Sequence, residues 1–182
     1  MSQIIVTNER IINASPSEVY AVLSDYNQRQ QFLPENFHNY TVEKGGHGAG
    51  TVVQYRLHAA QRERDYRLGV EEVIKGRVIR ERDFGSSFVI TWTLSPENGG
   101  SRTRVGVASE WTGGSGVGGF FERTFAPMGL RNIYDNVLDL LNARLTGEEK
   151  PALKTRLSKD LYIPLLAAGV IIGFLISRRR TK

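Results

Sequence analysis

The periodicity of apolar residues changes twice along this 182-residue chain. Gln3–Ile12 reads as a strand. Ser15-Pro16-Ser17-Glu18 then marks a helix start, with Ser15 as the cap, proline at the first helical position and glutamate placed to complete a capping box. The helix continues through EVYAVLSDY, where Val19, Val22 and Leu23 share a face. A second short helix, about Tyr26–Phe32, ends at Leu33-Pro34, because the residue before a proline avoids helical angles.

From Thr51 the period becomes two. Val53, Tyr55, Leu57 and Ala59 alternate with Gln54, Arg56 and His58. Tyr66, Leu68 and Val70 continue the pattern in a further strand, and Arg77–Phe84 is a weaker, charge-rich one. Phe88, Ile90, Trp92 and Leu94 line one face of the next, and Val105, Val107, Ser109 and Trp111 one face of the last. Turn residues at Gly45-Gly46, Gly76, Gly85 and Pro96–Gly100 separate these runs, which predicts an antiparallel meander. A helical period returns over about Phe120–Leu145, with Phe121, Phe125 and Met128 on one face and Leu130, Ile133, Val137 and Leu141 on an offset one. A kink at Pro127, beside Gly129, accounts for the offset.

The order is strand, two short helices, a run of strands and one long helix. Ala14-Ser15-Pro16-Ser17-Glu18-Val19-Tyr20, Leu23-Ser24-Asp25-Tyr26, Phe32-Leu33-Pro34 and Gly48-Ala49-Gly50-Thr51 carry a specific likeness. Over residues 3–145 the chain resembles the START / polyketide-cyclase (SRPBCC, helix-grip) superfamily. That resemblance implies an α+β helix-grip fold: a curved antiparallel sheet wrapped around a long C-terminal helix, with an apolar cavity between them for a lipid, sterol, quinone or polyketide. The implied lining is Val53, Tyr55, Leu57, Tyr66, Leu68, Phe88, Ile90, Trp92, Val105, Val107 and Trp111, closed by Phe121, Phe125 and Met128. Without the resemblance, the same residues would simply pack a solid core.

After Gly147 the character changes. A polar, basic linker (148–160) leads to LYIPLLAAGVIIGFLI, sixteen uncharged residues at 161–176, and Arg178, Arg179 and Arg180 follow. Ten of the sixteen are Leu, Ile, Val or Phe, worth together about −3 to −6 kcal/mol on insertion at about −0.3 to −0.6 each. The run spans roughly 24 Å against about 30 Å of hydrocarbon, a gap that snorkelling arginines narrow. The expected division is therefore a helix-grip domain (1–147), the linker, one transmembrane helix (161–177) acting as a C-terminal anchor, and a basic tail (178–182). Gly169 and Gly173 form a G-x-x-x-G suited to close helix packing with a second copy or with another membrane protein.

Charge supports that division. Residues 1–147 hold 16 basic and 16 acidic side chains, whereas residues 148–182 hold 8 basic and 3 acidic, the whole of the net +5. The excess flanks the apolar run rather than the folded body, so it suits anionic headgroups and not nucleic acid. The N-terminus carries no basic-then-apolar export signal, which predicts a cytoplasmic domain.

Candidate chemistry is sparse. With no cysteine, thiolate metal sites and cysteine nucleophiles are excluded. His38, His47 and His58 are too far apart in sequence for a local ligand pair, so neither a metal site nor a cofactor is expected. Gly113–Gly119 lacks the Lys-Ser/Thr ending of a phosphate loop and reads as a flexible gate at the cavity mouth or as an unconstrained connection. On the apolar strand faces the polar groups are the tyrosines, Ser109 and Asp83, whereas Glu110 and the Arg62–Arg67 charges face solvent. Three readings follow: a membrane-tethered binder or carrier of a hydrophobic ligand, an accessory subunit of a membrane complex, or a cyclase/dehydratase-type enzyme needing two ionisable groups inside the cavity.

Overall fold

The computed structural model describes residues 3–59, 62–114 and 116–153, and the side chains of all of these except 116–125. β1 (Gln3–Ile12) buries Ile4, Val6 and Ile12 and turns Ile5, Thr7, Glu9 and Ile11 outward, as period two requires. The capping box forms. The Ser15 N–H donates to Glu18 Oε2 (2.8 Å) and the Glu18 N–H to Ser15 Oγ (3.4 Å), starting α1 (Pro16–Ser24), which buries Val19 and Leu23. The second helix is only a 3₁₀ turn, Arg29–Phe32.

The sheet then unrolls as β2 (Phe37–Lys44), β3 (Val52–Ala59), β4 (Arg62–Ile74), β5 (Val78–Asp83), β6 (Val89–Glu97) and β7 (Arg102–Thr112). All neighbours are antiparallel, in the order β1-β7-β6-β5-β4-β3-β2. The predicted meander is therefore present, with the first strand added outside the last. The prediction lacked β2. Only Tyr40 of its eight residues is buried, its register against β3 slips twice, and Asn39 adopts φ +53°, so no alternation survives in the sequence. The β2–β3 loop clamps the end of α1: Gly46 O accepts the Tyr26 N–H (2.9 Å), and Ser24 O accepts from Gly48 (2.9 Å).

α2 (Gly116–Thr146) packs against β1 and the 3₁₀ turn. It begins earlier than the period predicted, because the backbone of Gly116–Gly119 is already helical. The expected loose gate is thus confined to the two described residues Gly113 and Gly114. Pro127 lies inside the helix. From Leu130 onward α2 buries Ile133, Tyr134, Val137, Leu138 and Leu141. Polar ties fix this half: the Asn8 amide donates to Asp135 Oδ1 (2.7 Å), Arg10 pairs with Asp139, and Arg144 donates to Gln28 (2.7 Å) and Gln31.

The expected transmembrane helix, with Gly169 and Gly173, lies outside the described residues. Among those described, no helix is long and apolar enough to cross a membrane.

Candidate functional site

Between the concave sheet face and α2 lies a small cavity of about 20 Å³. Four of the predicted lining residues reach it: Val53, Tyr55, Ile90 and Trp92. Leu57, Tyr66, Leu68, Phe88, Val105, Val107 and Trp111 are buried on the same face without lining it. Met128 is half-exposed and is not among the described residues that line this cavity. The side chains of Phe121 and Phe125 are outside the description. A broader depression on the outer sheet face, between Thr7, Thr91, Thr93 and Gly106, is open to solvent and has no buried charge.

The sequence reading missed the cavity's polar wall. Glu81 (2% exposed) projects inward from β5 and Arg29 (4%) from the 3₁₀ turn. They form an ion pair through Glu81 Oε1. The same oxygen accepts from the Tyr26 hydroxyl (2.8 Å) and from Trp92 Nε1 (3.1 Å). Arg29 also donates to Leu23 O (3.1 Å), while its guanidinium lies 4.4 Å from the Tyr26 ring centroid and 5.3 Å from that of Trp92. Tyr40 donates to Tyr26 O (3.0 Å), joining β2 to the cluster.

Burial governs the electrostatics. It would lower the Arg29 pKa, but the Glu81 carboxylate overrides it and holds the guanidinium above its ordinary value. Burial pushes the Tyr26 phenol well up, and the Glu81 charge adds to this. Tyr40, Tyr55 and Tyr134 are raised mainly by burial as well. The wall therefore holds one cation, one anion and neutral phenols.

Beside this wall, five aromatic rings run across the sheet in sequence: Phe37, Tyr55, Tyr66, Phe88 and Trp111. Successive centroids are 5.1, 5.8, 4.7 and 6.0 Å apart. The row leads to the end of the sheet where β7 gives way to α2. The remaining polar candidates have structural tasks. Ser109 pairs with the Tyr134 hydroxyl, and Asp83 caps a turn by accepting from the Arg67 N–H (3.1 Å) and Ser86 Oγ (2.5 Å). Glu110 meets Gln3 on the outer face (3.0 Å), and Asp65 pairs with Arg56 there (2.8 Å). The β2–β3 pairing brings the His38 and His58 rings to 6.4 Å, a proximity the sequence separation concealed. Even so, no group of three metal-ligating side chains occurs among the described residues.

Volume limits what this cavity can hold. About 20 Å³ accommodates one water, whereas a drug-sized ligand needs roughly 300–1,000 Å³. Filling this cavity with anything larger requires its walls to move apart.

Comparison with known proteins gives a consistent result. The sequence model of a family described as polyketide cyclase / dehydrase and lipid transport matches residues 3–146. No curated protein matches the chain in sequence. Among solved structures, the KanY protein is 40% identical, covering 81% of this chain and 100% of its own length, with a TM-score of 0.70. Norcoclaurine synthase from Thalictrum flavum, in complex with a transition-state analogue, is 13% identical over 80% of this chain and 96% of its own, with a TM-score of 0.63. A START superfamily protein from Mycobacterium smegmatis is 12% identical over 80% and 99%, at 0.60. These last two likenesses concern the fold alone.

Proposed function

The chain belongs to the polyketide cyclase / dehydrase and lipid transport family, and from that premise we propose that it binds or transfers a hydrophobic ligand such as a lipid, isoprenoid or quinone, tethered to a membrane by residues 161–177. The carrying observation is the aromatic row, which offers ring faces for an apolar ligand beside a cavity that already exists between sheet and helix. A tether suits such a ligand, since it partitions into the bilayer next to the domain. Entry requires α2 to part from the sheet. Its half beyond Leu130 is tied to β1 by Asn8 and Arg10.

The test is mass spectrometry of the full chain purified in mild detergent, where a bound lipid or quinone is expected. Repeated recovery of empty protein that also fails to take up added quinone or phospholipid would end the reading.

One observation favours a second reading. Glu81 and Arg29 are two ionisable groups converging on the cavity, the minimum that cyclase- or dehydratase-type chemistry requires. Turnover of a polyketide-like test substrate that is lost in Glu81→Gln would support it.

A further inference from the structure

The three hydrogen bonds to Glu81 all converge on one oxygen, Oε1: those from Tyr26, Arg29 and Trp92. Its other oxygen, Oε2, carries no hydrogen bond among the described residues. Nor is it among their sealed, unpartnered atoms, a set that includes Arg29 Nε. Glu81 lines the cavity, and with Oε1 committed to three donors Oε2 is its free acceptor. A carboxylate oxygen buried to this degree without a donor is costly. The cavity has room for the one water that would satisfy it.

We propose that Glu81 Oε2 is an acceptor subsite selecting the polar end of the ligand: a neutral hydroxyl or phenol on an apolar body, in preference to a carboxylate. The inference rests on the hydrophobic-ligand reading above and specifies its chemistry. A hydroxyl donates to Oε2 and displaces the water while its apolar body lies along the aromatic row. A carboxylate has no proton to donate and meets an anion instead. Arg29 does not compensate, because its charge is already spent on Oε1 and on Leu23 O. Three of the neighbouring phenols do not compensate either. Tyr26 and Tyr40 already donate, to Glu81 Oε1 and to Tyr26 O, and the Tyr134 hydroxyl is paired with Ser109.

Three probes of one shape make the comparison on the full chain at pH 7: naphthalene, 2-naphthol and 2-naphthoate, titrated while following the Trp92 indole N–H resonance, assigned with Trp111→Phe. The expected result is that 2-naphthol binds at least about tenfold more tightly than the other two. It should also move the Trp92 resonance, whose partner is the same carboxylate. In the double variant Arg29→Met/Glu81→Leu, which removes both charges together, the naphthol-to-naphthalene affinity ratio should fall to about one. Equal affinities of naphthol and naphthalene in the wild type would overturn the subsite and leave the apolar reading standing. A preference for naphthoate would overturn it as well. Binding of none of the three would remove both the subsite and the reading on which it rests.

Discussion

Replacing Arg29 and Glu81 singly and together should reveal the energetics of the buried wall. Breaking a buried ion pair by removing one partner costs about 3–5 kcal/mol, since an uncompensated charge remains. The two single variants should sit at opposite ends of that range. Arg29→Met leaves the carboxylate with the Tyr26 and Trp92 donors still in place, so about 3 kcal/mol is expected. Glu81→Leu leaves a sealed guanidinium whose remaining hydrogen bond is to Leu23 O, and orphans both of those donors, so about 5 kcal/mol is expected. The double variant has no charge left to desolvate and retains only the orphaned Tyr26 and Trp92 groups, for a loss of about 2 kcal/mol. It should therefore be more stable than either single variant. Urea unfolding of the full chain, followed by circular dichroism, measures this. With a slope of about 2 kcal/mol per molar, Glu81→Leu should shift the midpoint down by about 2.5 M. A double variant no better than the worse single, or an Arg29→Met shift below about 0.5 M, would refute the assignment of the cost to the uncompensated charge.

Further expectations concern the frame around the site. Gly46 has φ +120°, and a Cβ there would lie 2.3 Å from Asn27 Nδ2, so Gly46→Ala should cost about 1–3 kcal/mol. Gly50→Ala, at φ +84° in open space, should cost only the smaller backbone term of about 1 kcal/mol. Thermal melts of the two variants compare them directly. Ser15→Ala removes the α1 cap and should lower stability by about 0.5–2 kcal/mol in the same assay. In alkali, Tyr20 ionises late, its pKa raised to about 12 by burial and by the Glu72 carboxylate, and the buried Tyr26 and Tyr55 are raised further. The unfolded chain releases these protons near pH 10 and the folded one does not. Stability is therefore fully present below about pH 10 and declines as pH rises beyond it. Spectrophotometric titration should show these phenols ionising together with unfolding. Smooth ionisation of all tyrosines near pH 10 in folded protein would contradict their burial.

Much of the frame is written locally in the chain, because strand parity, the proline and the capping box each act within a few residues. β1 and α1 form where those signals lie. β2 was illegible because its pairing is bulged and nearly all its side chains face out. The site was harder to read. Glu81 lies in the same parity as Ile79 and Asp83, all three buried, so alternation did mark it, but the charged residues between them hid the pattern. Arg29 had no local sign. Its burial depends on a carboxylate 52 positions away, a pairing that only the folded sheet creates. The glycines at the start of α2 carry no side chain to show a helical period, so the sequence pattern there is that of a loop.

The position of β1 beside β7 also sets an order of events during synthesis. Its partners lie about a hundred residues downstream, from Thr103 to Thr112. Until those residues leave the ribosome, Ile4, Val6 and Ile12 have no sheet to join, while β2 through β6 can already pair with their sequential neighbours. Closing so long a loop is slow relative to hairpin formation. Completion of the domain is thus a late step that waits on the last strand, and the nascent N-terminus presents an unpaired apolar strand throughout. A chain arrested before Thr112 would hold a sheet without its first strand, and would be a natural substrate for chaperones that bind extended apolar segments.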